Sequence, residues 1–122
     1  MKRISIKPVW TLHDPDRPPL PARLLDLLVQ VQATGSLLAA CQPLGLSYRH
    51  AWDLVRQGEA HFDTQLLYME RGKGSTLTPL GEKLAWADHR IHARLKPVLE
   101  SLASELSAEI AQVMATQPAV LR

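Results

Sequence analysis

The chain has one cysteine, Cys41, in 122 residues. A lone thiol cannot close a disulfide within the chain or assemble a cysteine-based metal site, and its simplest setting is a reducing cytosol. No apolar run approaches the roughly 20 residues that span a bilayer. The start, Met1 to Lys7, lacks the continuous apolar stretch of a signal peptide. These absences predict a cytoplasmic protein with no membrane partner. A strong charge of one sign is missing too: a net charge of +2 is mildly basic and does not by itself argue for nucleic acid. There is no Walker-type phosphate loop and no recognisable serine, histidine and acid spacing, so no catalytic residue is assigned and no enzyme is expected. His89 and His92, with Asp88 beside them, stand at i, i+3, a spacing that can share a metal. No third ligand is apparent, so neither a metal nor another cofactor is assigned.

What remains is the length of one domain, apolar enough (46%) to bury a modest core. Residues 3–12 alternate, with Ile4, Ile6, Trp10 and Leu12 on one side and Arg3, Ser5, Lys7 and Thr11 on the other, which predicts a half-buried strand. Pro8 cannot donate to a ladder and confines that strand to an edge. Four prolines and two aspartates between His13 and Pro21 read as a rigid polar connector. Leu24, Leu27, Leu28 and Val31 then follow i, i+3, i+4, i+7 spacing and predict a helix over 21–33. Gly35 ends it and Ser36 can cap a short second helix, over 37–42, which Pro43 and Gly45 stop. Ser47 supplies the next cap, for a third helix running to about Gly58.

Two short helices joined by a tight turn, within residues 36–57, match the helix-turn-helix pattern. The third helix divides into two faces: Tyr48, Ala51, Trp52 and Val55 form an apolar stripe, while Arg49, His50, Asp53 and Arg56 lie opposite. A helix entering the major groove needs this division, one face anchored to the scaffold and the other offering side chains to base edges and phosphates. Arg has the planar fork that fits guanine O6 and N7. His50 can donate or accept, and Asp53 can accept from a cytosine amine or hold a neighbouring Arg. A solvated amphipathic helix shows the same division, so this helix alone leaves both readings open.

Residues 66–70 and 76–77 predict a β-hairpin around a basic, glycine-containing tip, Arg71-Gly72-Lys73-Gly74-Ser75. Glycine lets backbone N–H groups approach a phosphate, and Lys or Arg neutralises it. Seen alone this is also an ordinary surface turn; following a helix-turn-helix it reads as a basic wing. Thr78-Pro79 is a cap followed by Pro at a first helical position. The stripe beyond, Leu80, Leu84, Ala87, Ile91, Leu95, Val98, Leu102, Leu106, Ile110 and Val113, steps by three or four residues and predicts one long helix, about 50 Å at 1.5 Å per residue. Pro97 predicts a kink or break in it. Such a helix outruns a small domain, which points to dimerisation through Leu84, Ile91, Leu95, Val98, Leu102, Leu106 and Ile110. A two-fold homodimer also suits double-stranded DNA with an inverted repeat. Cys41 reads as a small buried apolar residue.

Gly35-Ser36, Ala39-Ala40, Gly45, Ser47-Tyr48-Arg49, Ala51-Trp52-Asp53-Leu54, Gly72-Lys73-Gly74, Leu77-Thr78 and Gly81 resemble the N-terminal DNA-binding domain of molybdate-responsive (ModE-type) regulators, a relative of the winged helix of LysR-type regulators. The resemblance covers roughly residues 20–110 and is most specific over 47–53. It implies a mainly α fold with a small β-sheet: a winged helix-turn-helix with an N-terminal strand, a hairpin wing and a long C-terminal dimerisation helix. It implies that Tyr48 and Trp52 anchor the recognition helix, that Ser47, Arg49, His50 and Arg56 face DNA, and that Lys73 lies in the wing.

The expectation is therefore a DNA-binding domain over 1–78, a dimerisation helix over 79–114 and a tail over 115–122. Its DNA-binding residues are Ser36, Ser47, Tyr48, Arg49, His50, Asp53, Arg56, Arg71, Lys73 and Ser75. The wing here is shorter than the family's, with Ser75 and Thr76 directly after Gly74. The family commonly adds a C-terminal effector domain, and 115–122 reads as a linker leading onward. An effector such as the oxyanion molybdate is expected to act only through such a domain. The alternative is a winged helix used for protein interaction without DNA.

Overall fold

A computed structural model describes residues 4–70, 74–117 and 120. Four helices and one hairpin follow in order: α1 (Ala22–Thr34), α2 (Leu37–Leu44), α3 (Tyr48–Phe62), β1 (Leu67–Glu70), β2 (Gly74–Leu77) and α4 (Pro79–Thr116). This is the predicted mainly helical fold with a small sheet. β1 and β2 pair antiparallel with Leu67 opposite Leu77 and Met69 opposite Ser75. Residues 4–13 are not part of any strand, contrary to expectation, although their burial alternates as predicted from Ile4 to Trp10. Pro8 interrupts the donors, and the two-stranded sheet includes no third strand among the described residues.

The chain divides into two compact units, residues 9–90 and residues 1–8 with 91–122. In the first, Leu24, Leu27, Leu28, Val31, Leu37, Ala40, Ala51, Val55 and Leu66 make one continuous core. The Ser-cap and Gly-stop signals act where the sequence puts them. Gly35 ends α1 in the left-handed region and donates to the Val31 carbonyl, and Gly45 ends α2 likewise. Leu46 N donates back to the Cys41 carbonyl at 3.0 Å, which closes the helix end and buries Leu46 beneath it. Pro43 sits inside the last turn of α2 and does not stop it earlier.

Gly58 does not end α3. The helix continues four residues to Phe62 and stops at Asp63 in the left-handed region. Gly58 is buried where α3 lies closest to α1: a Cβ there would overlap Leu24 Cδ2 and stand 2.8 Å from Leu66 Cδ1. The residue is a packing requirement read from sequence as punctuation.

The connector is tied into this unit. Trp10 Nε1 donates to Asp88 Oδ1 at 2.7 Å, Arg17 Nη1 donates to the His61 carbonyl at 3.2 Å, and the Pro18 carbonyl meets His61 Nδ1. Thr78 caps α4 as predicted, accepting from Gly81 N at 3.2 Å while its hydroxyl donates to the Gln65 carbonyl at 2.8 Å.

The second unit is built on the far half of α4, which continues unbroken through Pro97. Proline removes one backbone bond at a cost of about 3 kcal/mol, and strong helix formers on both sides keep the helix going. Ile4, Ile6 and Pro8 lie with Leu99 and Ala103 around a cavity of about 950 Å³.

Candidate nucleic-acid interface

α2, the 45–47 turn and α3 form the helix-turn-helix. Ser36 Oγ accepts from Ala39 N at 2.9 Å and Ser47 Oγ accepts from His50 N at 3.0 Å. Each cap uses the serine oxygen as the acceptor, and a serine hydroxyl can also donate. The helix N-termini add favourable partial charge for an anion.

The division of α3 holds, with one change of membership. Ala51, Leu54, Val55, Gly58 and His61 are buried and form the anchoring face. Leu54 takes the place that the sequence reading gave to Tyr48. Tyr48 is 42% exposed and meets Trp52 edge-on, with ring centroids 6.3 Å apart. Trp52 is half-buried and packs against the core. Tyr48 is therefore no anchor; it stands on the open side with Arg49, His50, Asp53 and Arg56, all exposed. The spacing of 51, 54, 55 and 58 could have shown this, because it is the i, i+3, i+4, i+7 row that starts at Ala51.

Arg56 Nη1 lies 3.8 Å from Asp53 Oδ1, one turn away. Both side chains are more than half exposed, so the pair is worth little to stability. The spacing puts Asp53 within ion-pair reach of the guanidinium. Arg23, which sequence reasoning did not single out, donates from Nη2 to the Leu44 carbonyl at 2.8 Å and closes the C-terminal end of α2. Leu38, exposed at the start of α2, was likewise not foreseen.

The hairpin forms where the wing was expected. Arg71 and Lys73 lie outside the described residues. Ser75 is only 2% exposed and faces inward, so it has no direct access to DNA. The period of two explains the error: in β2, Gly74 and Thr76 are outward and Ser75 is between them.

On α4, Leu84 is 6% exposed and belongs to the core of residues 9–90, not to a surface for a second copy. Ile91 is half-buried. Leu95, Val98, Leu102, Leu106, Ile110 and Val113 are 36–55% exposed and continue the stripe. Among the described residues no helix is long and apolar enough to cross a membrane.

Residues 22–82 match the family of bacterial regulatory helix-turn-helix proteins of lysR type. The chain is also 36% identical over 97 residues to the molybdenum-pterin-binding protein MopB of Rhodobacter capsulatus, a match over 76% of this chain and 36% of the relative. The chain thus spans about a third of the length of the curated relative it matches.

Proposed function

From the premise that this chain belongs to the lysR family of bacterial regulatory helix-turn-helix proteins, and so is a DNA-binding transcriptional regulator, we propose that it binds an inverted-repeat operator in the cytoplasm as a homodimer. The observation that carries the reading is α3: its anchoring face is buried, and Arg49, His50 and Arg56 stand together on the face left open. Arg49, His50 and Arg56 read base edges. Tyr48 and Asp53 flank them, with Asp53 directing Arg56. Ser36, Ser47, Lys73 and Arg71 contact phosphates.

The second copy covers the exposed stripe from Leu95 to Val113. A helix of 38 residues extends about 57 Å at 1.5 Å per residue, and a stripe of large apolar side chains at a third to half exposure calls for a partner. Two-fold pairing presents two α3 helices to two half-sites. The effector is an oxyanion such as molybdate. The relative's name, a molybdenum-pterin-binding protein, supports that chemistry, and no residue of this chain is assigned to it.

The test is selection of duplexes from a random pool, followed by titration of the recovered site. An inverted repeat is expected. Arg49→Ala should lose about 1–3 kcal/mol on the recovered site and relax preference at one position of each half-site. Lys73→Ala should weaken binding to all sequences and lower the salt slope by about one. Recovery of no common sequence, with wild-type behaviour of both variants, would refute the assignment.

A further inference from the structure

Ser75 is buried at the joint between the hairpin and the helix-turn-helix. Its Oγ accepts from Leu37 N, the first amide of α2, at 3.4 Å and donates to Met69 Sδ, directly across the hairpin, at 3.1 Å. The neighbouring Gly74, although exposed, passes close to the turn between α1 and α2. A Cβ built on it would stand 3.4 Å from Ser36 Cβ and 3.5 Å from the Gly35 carbonyl oxygen, and its φ of +78° is one that glycine adopts without strain. At the start of α2, Ala39 N is held by the helix's own Ser36, Ala40 N by the Ser36 carbonyl, and Leu37 N by a hydroxyl from the hairpin. One of the orphan donors of this helix is thus satisfied from β2.

A two-stranded hairpin is marginal by itself in water and takes its position from what it packs on. Leu67 and Ser75 form the inward side of this one, and Ser75 supplies a directional bond there. We infer that Ser75 is a positioning residue for DNA binding: by joining Leu37 N to the hairpin it fixes the wing relative to the phosphate-facing start of α2, so that both meet one duplex together. The inference rests on the DNA-binding reading above. Ser75 makes no contact with DNA itself. Without its hydroxyl, the Leu37 N–H loses a buried partner and the wing loses its fixed seat.

The experiment is titration of a labelled random-sequence duplex by wild type, Ser75→Ala and Ser75→Thr between 50 and 200 mM salt, with thermal melting of each free protein. Each phosphate contact contributes about 0.9 to the slope of log K against log salt. Ser75→Ala is expected to lose about one contact's worth of slope, so its affinity changes about threefold less than that of wild type across this salt range. Ser75→Thr keeps the hydroxyl on a residue suited to a strand and is expected to retain the wild-type slope. A merely structural role would lower the melting temperature and leave the slope alone; an unchanged slope in Ser75→Ala, whatever its affinity, overturns the proposal. If Ser75→Ala does not fold, the Thr variant decides: the wild-type slope supports the role of the hydroxyl, and a reduced slope overturns it. Salt-independent or absent binding by wild type would instead remove the DNA-binding reading itself.

Discussion

Residues 9–90 and the far half of α4 carry the same kinds of apolar side chain and treat them in opposite ways. In the first region, Leu24, Leu27, Leu28 and Leu37 have no exposed surface, and helices, turn and hairpin all contribute to one core. In the second, Leu95, Val98, Leu102 and Leu106 remain open on one helix, and Ala103 is the buried apolar residue among those described. The first region covers most of its large apolar side chains within one core. The second has a stripe that its own unit leaves uncovered, and a second copy of the chain would bury it by the same physics that buries the core.

The largest expected effect breaks this contrast on the open side. Leu102→Glu with Leu106→Glu places charges in the proposed contact between copies. Sedimentation should show wild type at twice the chain mass of 13.6 kDa and the double variant at that mass, with the helix content retained. A variant that sediments as wild type does would remove the stripe from the interface.

Next comes the closed side. Leu28→Ala should cost about 2–5 kcal/mol in denaturant unfolding, because the cavity it leaves has no way to fill. Trp10→Phe removes the indole N–H that donates to the buried Asp88 carboxylate. A hydrogen bond to a charged group is worth about 1.5–3 kcal/mol, and the loss should appear in the same unfolding measurement.

The smallest effect concerns Cys41. Burial pushes its thiol pKa up, which favours the neutral form in the folded chain. The folded chain therefore holds the proton to higher pH than the unfolded one. This contribution to stability is intact below the usual thiol range and is lost as pH rises from there through the raised value of the folded chain. Alkylation by iodoacetamide at pH 8 should be slow until denaturant opens the core, and Cys41→Ala should flatten the alkaline fall in stability.

Much of this was legible in the sequence because it is local. Ser36, Ser47 and Thr78 cap helices, Gly35 and Gly45 end them, and the leucine spacing of α1 gives its buried face directly. What the sequence hid depends on neighbours distant along the chain. Gly58 reads as a stop until Leu24 and Leu66 are seen against it. Leu84 belongs to the same stripe as Leu95, and only the core beneath it separates the two. Alternation from Ile4 to Trp10 shows which side is covered, but it fails at the exposed Leu12 and cannot supply a partner strand. At the candidate site, the exposure of Arg49, His50 and Arg56 follows the helical period; Tyr48, which the sequence put both on the apolar stripe and among the DNA-facing residues, is exposed, and Ser75 is buried.

The central claim is that the open face of α3 reads DNA. Fluorescence titration of a labelled duplex carrying the selected inverted repeat, at two salt concentrations, by wild type and by the Arg49→Ala, Arg56→Ala double variant tests it most directly. The account predicts salt-dependent binding by wild type and a loss of about 1–3 kcal/mol or more on that site in the variant, with random duplex much less affected. Equal binding of the selected site by both proteins, or wild-type binding that does not respond to salt, would contradict it and favour a winged helix that serves protein interaction instead.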